Sequence, residues 1–282
     1  MHFSDVIANV PGRRAWLRRN SGARCVLPAQ ARIFPDHAFL RIAHRGAAGL
    51  EPENSLRGIE AALRTGVEMV EVDVRPCADG TLVLSHDDAL KRMTGYRGRV
   101  STSTLAELKD LDIGKGERIP TLEEALALLR GRALVNLDLK RDNMDSQLLR
   151  AIDRAGCREE TMLSGGARHT LAVFHALVPS IPSAWSFDAS WHELPGRLLG
   201  RYTLAGARGQ AGWIASGTRA AGADSATLDW RLAAPAVVDL LHRAGLPVLT
   251  WTVDDLPTLE ALRAAGVDGV TSNRPDLLAR LG

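Results

Sequence analysis

From residue 40 onward, eight short apolar runs alternate with helix-like segments, and this rhythm constrains the fold more than any other property of the chain. The runs are Leu40–His44, Met69–Val74, Ala133–Leu139, Thr161–Ser164, Pro182–Phe187, Ser225–Leu228, Val248–Val253 and Gly269–Ser272. Four to seven residues is strand length, too short for a buried helix. Helical patterns lie between most of them, over Ser55–Thr65, Thr121–Arg130, Ser146–Ala155, Pro235–Ala244 and Thr258–Ala265, and a glycine follows each one directly. Glycine there is a stop signal, because it enters the left-handed conformation without steric cost. Repeated strand–helix alternation predicts parallel strands joined by crossover helices, and eight strands predict an α/β barrel.

One segment falls outside the eight-strand count. Val74–Ala78 and Thr81–Leu84 flank Asp79-Gly80, a dipeptide favoured in two-residue hairpin turns. A tight turn there predicts a hairpin rising from the second strand, with Asp73 facing His86. The glycine-rich stretch 188–224, with Trp191 and Trp213, predicts irregular helix and a long loop. Residues 1–38 carry no strong period and form a basic arm ahead of a barrel domain over 39–282. Residues 1–41 hold seven Arg against two Asp, a local net of +5 in a chain of net +2. The plain reading is solubilising surface charge, and the alternative is a weak contact with a membrane surface or another anionic partner. Nucleic acid is not expected as a partner, though the net charge argues neither for nor against it.

Reactive side chains gather at the C-terminal ends of the predicted strands, where an α/β barrel keeps its active site. His44-Arg45-Gly46 closes the first run, Glu71-x-Asp73 the second, His86-Asp87 the hairpin and Asp138-x-Lys140 the third. Alternate strand residues share a face, so Glu71 and Asp73 project together, as do Asp138 and Lys140. The intervening Val70, Val72, Val74, Leu137 and Leu139 are apolar and suit a face packed on helices, which turns the acids into the barrel mouth. Three crowded carboxylates repel one another unless a hard divalent cation, Mg²⁺ or Ca²⁺, lies among them. Arg45 and Lys140 beside that site suit an anionic substrate, with phosphate the best match. His44 and His86 can take and give protons near neutral pH.

With 282 residues, 45% apolar and 24% charged, the composition is that of a soluble globular protein. Cys25, Cys77 and Cys157 are odd in number and lack a C-x-x-C spacing, so they read as reduced thiols of a cytoplasmic protein. No apolar window is long enough to span a bilayer, and no secretory signal precedes the barrel, so no membrane insertion is expected. Oligomeric state is not legible.

The runs Ile42-Ala-His-Arg-Gly46, Pro52-Glu-Asn-Ser55, Glu71-Val-Asp73, Leu82-Val-Leu-Ser-His-Asp87, Ile119-Pro-Thr-Leu-Glu-Glu124, Asn136-Leu-Asp-Leu-Lys140 and Trp251-Thr-Val253 stand in the order of the glycerophosphodiester phosphodiesterase family, which the chain resembles from about residue 40 onward. The resemblance implies a TIM-type (β/α)8 barrel, a divalent metal, and hydrolysis of glycerophosphodiesters to an alcohol and sn-glycerol 3-phosphate. By position it implies His44 and His86 as the acid/base pair, Glu71, Asp73 and Asp138 as metal ligands, and Arg45 and Lys140 as phosphate contacts. Glu53 and Asn54 would brace the pocket, and Trp251 would line the glycerol or head-group side.

Three positions depart from the family pattern. Asp138 replaces the usual Glu, Asp254 stands in a Trp-Thr-Val-Asp-Asp run usually written with Asn, and the usual Thr-Asp-x-Pro reads Thr271-Ser-Asn-Arg-Pro275. Water-soluble diesters such as glycerophosphocholine or glycerophosphoethanolamine are the expected substrates. The competing readings are a lysophospholipase D acting on lysophospholipids and a barrel that binds a phosphodiester without cleaving it. A metal-dependent sugar isomerase fits the Arg45–Lys140 pair less well.

Overall fold

The computed structural model describes residues 33–34, 39–189 and 203–281. Nine strands form one sheet: β1 (Leu40–Ala43), β2 (Met69–Pro76), β3 (Leu82–Leu84), β4 (Leu134–Leu139), β5 (Thr161–Gly165), β6 (Ser183–Phe187), β7 (Ser225–Asp229), β8 (Val248–Trp251) and β9 (Gly269–Ser272). β1 pairs in parallel with both β2, Ile42 opposite Met69, and β9, Leu40 opposite Gly269. These two pairings close eight parallel strands into a barrel, with β3 as an antiparallel extension of β2.

Among the described residues, seven helices of eight or more residues cross between strands: α1 (Leu56–Arg64), α2 (Leu122–Leu129), α3 (Asp145–Ala155), α4 (Arg168–Leu177), α5 (Leu204–Ala220), α6 (Pro235–Arg243) and α7 (Leu256–Ala264). Local chemistry sets several of their starts. Ser55 caps α1 by accepting from Gly58 N–H, and Thr121 and Glu124 form a capping box on α2. Such caps contribute about 1 kcal/mol each. The eight-strand count and the TIM-type (β/α)8 architecture follow the sequence expectation.

Strand alternation separates two cores. Val70, Val72 and Val74 of β2 and Val135, Leu137 and Leu139 of β4 face outward and pack with the helices. Leu40, Ile42, Met69, Leu134, Met162, Ala184 and Leu249 face inward at the N-terminal end and fill the barrel base. Ile33, only 1% exposed, packs into this base cluster with Phe34 against it, so part of the 1–38 arm lies on the barrel floor. Cys25 and Trp191 lie outside the described residues.

Two expectations need correction. The hairpin register is shifted by one: Val74 opposes Leu84 and Pro76 opposes Leu82, so Ser85, not His86, donates its N–H to the Asp73 carbonyl (3.1 Å). Cys77 N–H donates to Thr81 O, which leaves three loop residues, Ala78 to Gly80, with Gly80 left-handed at φ +83°. A three-residue loop ending in a left-handed glycine is the next favoured hairpin connection after the two-residue turn. The second correction concerns 188–224. Its described part from Leu204 onward is a regular 17-residue helix, α5, and not irregular.

Candidate active site

Along β1, β2 and β4 the inward side chains change from apolar at the base to polar at the mouth. On β2 the order is Met69, Glu71, Asp73; on β4 it is Leu134, Asn136, Asp138, then Lys140; on β1 Leu40 and Ile42 precede His44. In the parallel β2–β4 pairing Glu71 lies opposite Asn136 and Asp73 opposite Asp138. One ligand oxygen from each of Glu71, Asp73 and Asp138 falls within 4.8 Å of the others. Gly165, at the end of β5, makes room for this, since a Cβ there would stand 2.7 Å from Asp138 Oδ1.

The two cations sit among the acids. Lys140 Nζ is 2.8 Å from Asp73 Oδ1 and 3.3 Å from Asp138 Oδ2. Arg45 Nε is 3.3 Å from Asp73 Oδ2, its Nη1 donates to Glu53 Oε1 (3.1 Å), and its backbone N–H donates to Glu71 Oε2 (2.8 Å). Asn54 and Asp73 are joined twice, Asn54 Nδ2 donating to Asp73 Oδ2 (2.7 Å) and Asp73 N–H to Asn54 Oδ1 (3.0 Å). The turn after His44 is left-handed at Arg45 (φ +50°) and Gly46 (φ +77°). A Cβ at position 46 would stand 2.8 Å from the Gly58 backbone, so only glycine fits where this turn meets α1.

Environment splits the acids. Burial opposes ionisation of Asp73, but Lys140, Arg45 and His86 outweigh it and hold the carboxyl at about 2. Glu71 goes the other way: burial, then Asp73 and Asp138, push it well above the usual carboxylate range. Its Oε1 is buried with no hydrogen-bond partner. Lys140 is raised despite its burial by Asp138, Asp73 and Glu71. His44 is lowered by burial and then by Arg45, which favours the neutral ring. Its Nδ1 is 2.7 Å from Asn273 Oδ1 and its Nε2 is 3.8 Å from Glu71 Oε2.

His86 follows β3, its Nδ1 2.7 Å from Asp87 Oδ1. Arg92 donates to the other Asp87 oxygen and, through two nitrogens, to both Glu53 oxygens at 2.8 and 2.7 Å. A polar chain thus runs from His86 through Asp87, Arg92 and Glu53 to Arg45. Trp251 ends β8 with its indole N–H buried and unpartnered.

The structure therefore brings His44, Arg45, Glu53, Asn54, Glu71, Asp73, Asp138 and Lys140 into one contact network. His86 is tied to it through Arg92, and Trp251 stands apart on β8. Sequence reasoning missed Arg92 and Asn273. The second was legible: Val270 faces the helices, so Thr271 and Asn273 fall on the inward side.

A closed parallel barrel with acids, cations and histidines at its strand ends has the plan of a barrel enzyme. The glycerophosphoryl diester phosphodiesterase family model matches residues 44–277. A glycerophosphodiester phosphodiesterase of Caldanaerobacter subterraneus is 28% identical over 255 residues, 86% of this chain and 97% of that protein. One from Bacillus subtilis is 26% identical over 274 residues, 88% of each. The solved structure of an Oleispira antarctica phosphodiesterase in complex with its product sn-glycerol-3-phosphate superposes with a TM-score of 0.67 at 26% identity. It covers 86% of this chain and 95% of that one. The Agrobacterium tumefaciens glycerophosphodiester phosphodiesterase shares the fold at TM-score 0.68 and 23% identity, covering 86% of this chain and all of that one. This chain belongs to the glycerophosphoryl diester phosphodiesterase family.

Proposed function

We propose that the protein hydrolyses water-soluble glycerophosphodiesters, such as glycerophosphocholine or glycerophosphoethanolamine, to the free alcohol and sn-glycerol 3-phosphate. The convergence of Glu71, Asp73 and Asp138 within 4.8 Å, beside Arg45 and Lys140, carries this reading. With all three carboxylates ionised, the two cations leave the cluster at −1, which repels a phosphodiester. A divalent cation among the carboxylates turns the balance to +1 and meets the free oxygen of Glu71. Glu53 does not alter this count, because Arg92 neutralises it. When bound, the cation would offset charge developing on the non-bridging phosphate oxygens.

The chain's own side chains do the rest. Arg45 and Lys140 hold the phosphate, Glu53 aims the Arg45 guanidinium, and Asn54 fixes Asp73. Trp251 lines the glycerol or head-group side. His44 accepts at Nε2 a proton from the water that attacks phosphorus. His86, braced by Asp87, donates to the leaving alkoxide. The free, buried Cys77 and Cys157 suit a reducing, cytoplasmic setting.

The test is release of sn-glycerol 3-phosphate from glycerophosphocholine by protein stripped with EDTA and then resupplied with Mg²⁺, Ca²⁺ or Mn²⁺. Activity is expected to vanish on stripping and to return with at least one cation. A protein inactive with all three on every glycerophosphodiester offered would be a binding barrel, and faster turnover of lysophosphatidylcholine would assign it to lysolipids. His44→Ala and His86→Ala are expected to abolish turnover while leaving the fold, read by circular dichroism, intact.

A further inference from the structure

The two C-terminal segments that depart from the family pattern meet each other and His44. Asn273 Nδ2 donates to Asp254 Oδ2 (2.6 Å), and the Asn273 backbone N–H and Ser272 Oγ donate to Asp254 Oδ1 (2.8 and 3.0 Å). On its other side Asn273 Oδ1 lies 2.7 Å from His44 Nδ1. The groups follow β8, β9 and β1, three adjacent strands, so the contact spans one side of the mouth.

Hydrogen-bond polarity fixes every member of this chain. An ionised carboxylate only accepts, so the Asn273 NH2 group must face Asp254. The amide oxygen must then face His44, and because that oxygen only accepts, His44 Nδ1 must carry the proton. Donor and acceptor roles alone set this amide orientation, without telling amide N from O by position. The lone pair is left on Nε2, the atom turned toward Glu71 at 3.8 Å. We infer that Asp254 and Asn273 are positioning residues that lock His44 in its Nδ1–H tautomer, presenting Nε2 to the substrate, with the supporting carboxylate one residue removed from the ring.

This inference rests on the proposed role of His44, but its central prediction is spectroscopic and separate from turnover. Long-range ¹H–¹⁵N spectra of the imidazoles, with the His44 signals assigned by their loss in His44→Ala, are expected to show the Nδ1–H form with and without Mg²⁺. An Nε2–H form in the native protein overturns the inference whatever the activity. Asp254→Asn frees the Asn273 amide to rotate, and Asn273→Asp sets two carboxylates against each other. Each is expected to lower kcat on glycerophosphocholine by about 10- to 100-fold, the usual scale for removing a group that orients a ligand or base, with KM within about threefold.

The double exchange Asp254→Asn/Asn273→Asp again pairs one carboxylate with one amide and leaves an acceptor against Nδ1. It is expected to recover kcat to within about threefold of the native enzyme and to restore the Nδ1–H signals. A double variant no better than the worse single one, while melting at the native temperature, would overturn the relay. So would single variants with native kcat. Loss of diesterase activity in the native protein itself would instead strike the functional reading and leave the tautomer measurement standing.

Discussion

Burial and two neighbouring carboxylates push Glu71 upward while Lys140 and Arg45 hold Asp73 at about 2, so adjacent acids on one strand pull stability in opposite directions with pH. Glu71 binds its proton more tightly in the folded than in the unfolded chain. Its contribution is therefore full below its ordinary value of 4.5 and declines as pH rises through 4.5 toward the raised folded value. Asp73 contributes above its ordinary 3.8 and loses that contribution as pH falls toward 2. For metal-free protein, the melting temperature is expected to fall as pH rises above the ordinary 4.5 of Glu71. Glu71→Gln should flatten the slope, and saturating Mg²⁺ or Ca²⁺ should remove it by binding only the folded, ionised site. An unchanged slope in Glu71→Gln would move its origin to other groups. At this scale the site was legible wherever charge coincided with a strand end, as at Glu71, Asp73, Asp138 and Lys140. Asn273 obeyed the same alternation but carried no charge to mark it. Arg92 could not be read at all, because its partners Asp87 and Glu53 meet it only through tertiary folding.

Elements with sharp ends in sequence were also sharp in structure. α1 and α2 begin at capping side chains, and each is followed within two residues by a left-handed glycine, Gly66 and Gly131. α4 escaped notice because Ala167 makes no side-chain cap bond and Val178 replaces a glycine stop. α5 contains four glycines, at roughly 1 kcal/mol each against helix formation. Burial of Ala207, Ala211, Ile214, Ala215 and Thr218 overrides that local preference. The hairpin illustrates the limit of dipeptide rules: Asp79-Gly80 marked the turn, but Ala78 joined the loop and moved the register by one. His86 still reaches the site because it lies beyond β3, where Arg92, in a short helix over Lys91–Thr94, fixes Asp87 beside it. Arg92→Ala is expected to lower kcat/KM about 10-fold or more by releasing Glu53 and Asp87 together. Its melting temperature should barely move, since half-exposed ion pairs contribute about 0–1 kcal/mol. Arg92→Lys should recover only part of the loss, because lysine cannot reproduce the two-nitrogen grip on Glu53. Native kinetics in Arg92→Ala would show that Glu53 and Asp87 hold their places unaided.

Across the whole molecule the barrel divides its tasks along its axis. The mouth gathers charge that is costly to bury, whereas the base is a closed apolar layer that holds the strands in register. Met69 and Asp73 mark the two levels on β2, about 13 Å apart at roughly 3.3 Å per residue. Ile33 enters the base from outside the strand–helix repeat, contacting a layer formed by six of the eight barrel strands. Truncating it removes apolar contacts from a cluster that cannot easily collapse, because its other members are fixed by the sheet. Ile33→Val is therefore expected to cost about 0.5–1.5 kcal/mol and Ile33→Ala about 2–5 kcal/mol. Both are measurable as a lower urea midpoint at unchanged m-value. Under conditions where the variants stay folded, kcat/KM should remain native, since Ile33 packs at the N-terminal end of the strands and the charged groups stand at the opposite end. A graded loss of stability with native kinetics would place residues just ahead of β1 within the folding unit. Two variants both within about 0.5 kcal/mol of the native protein, the scale of an ordinary surface change, would show that the barrel floor closes without them.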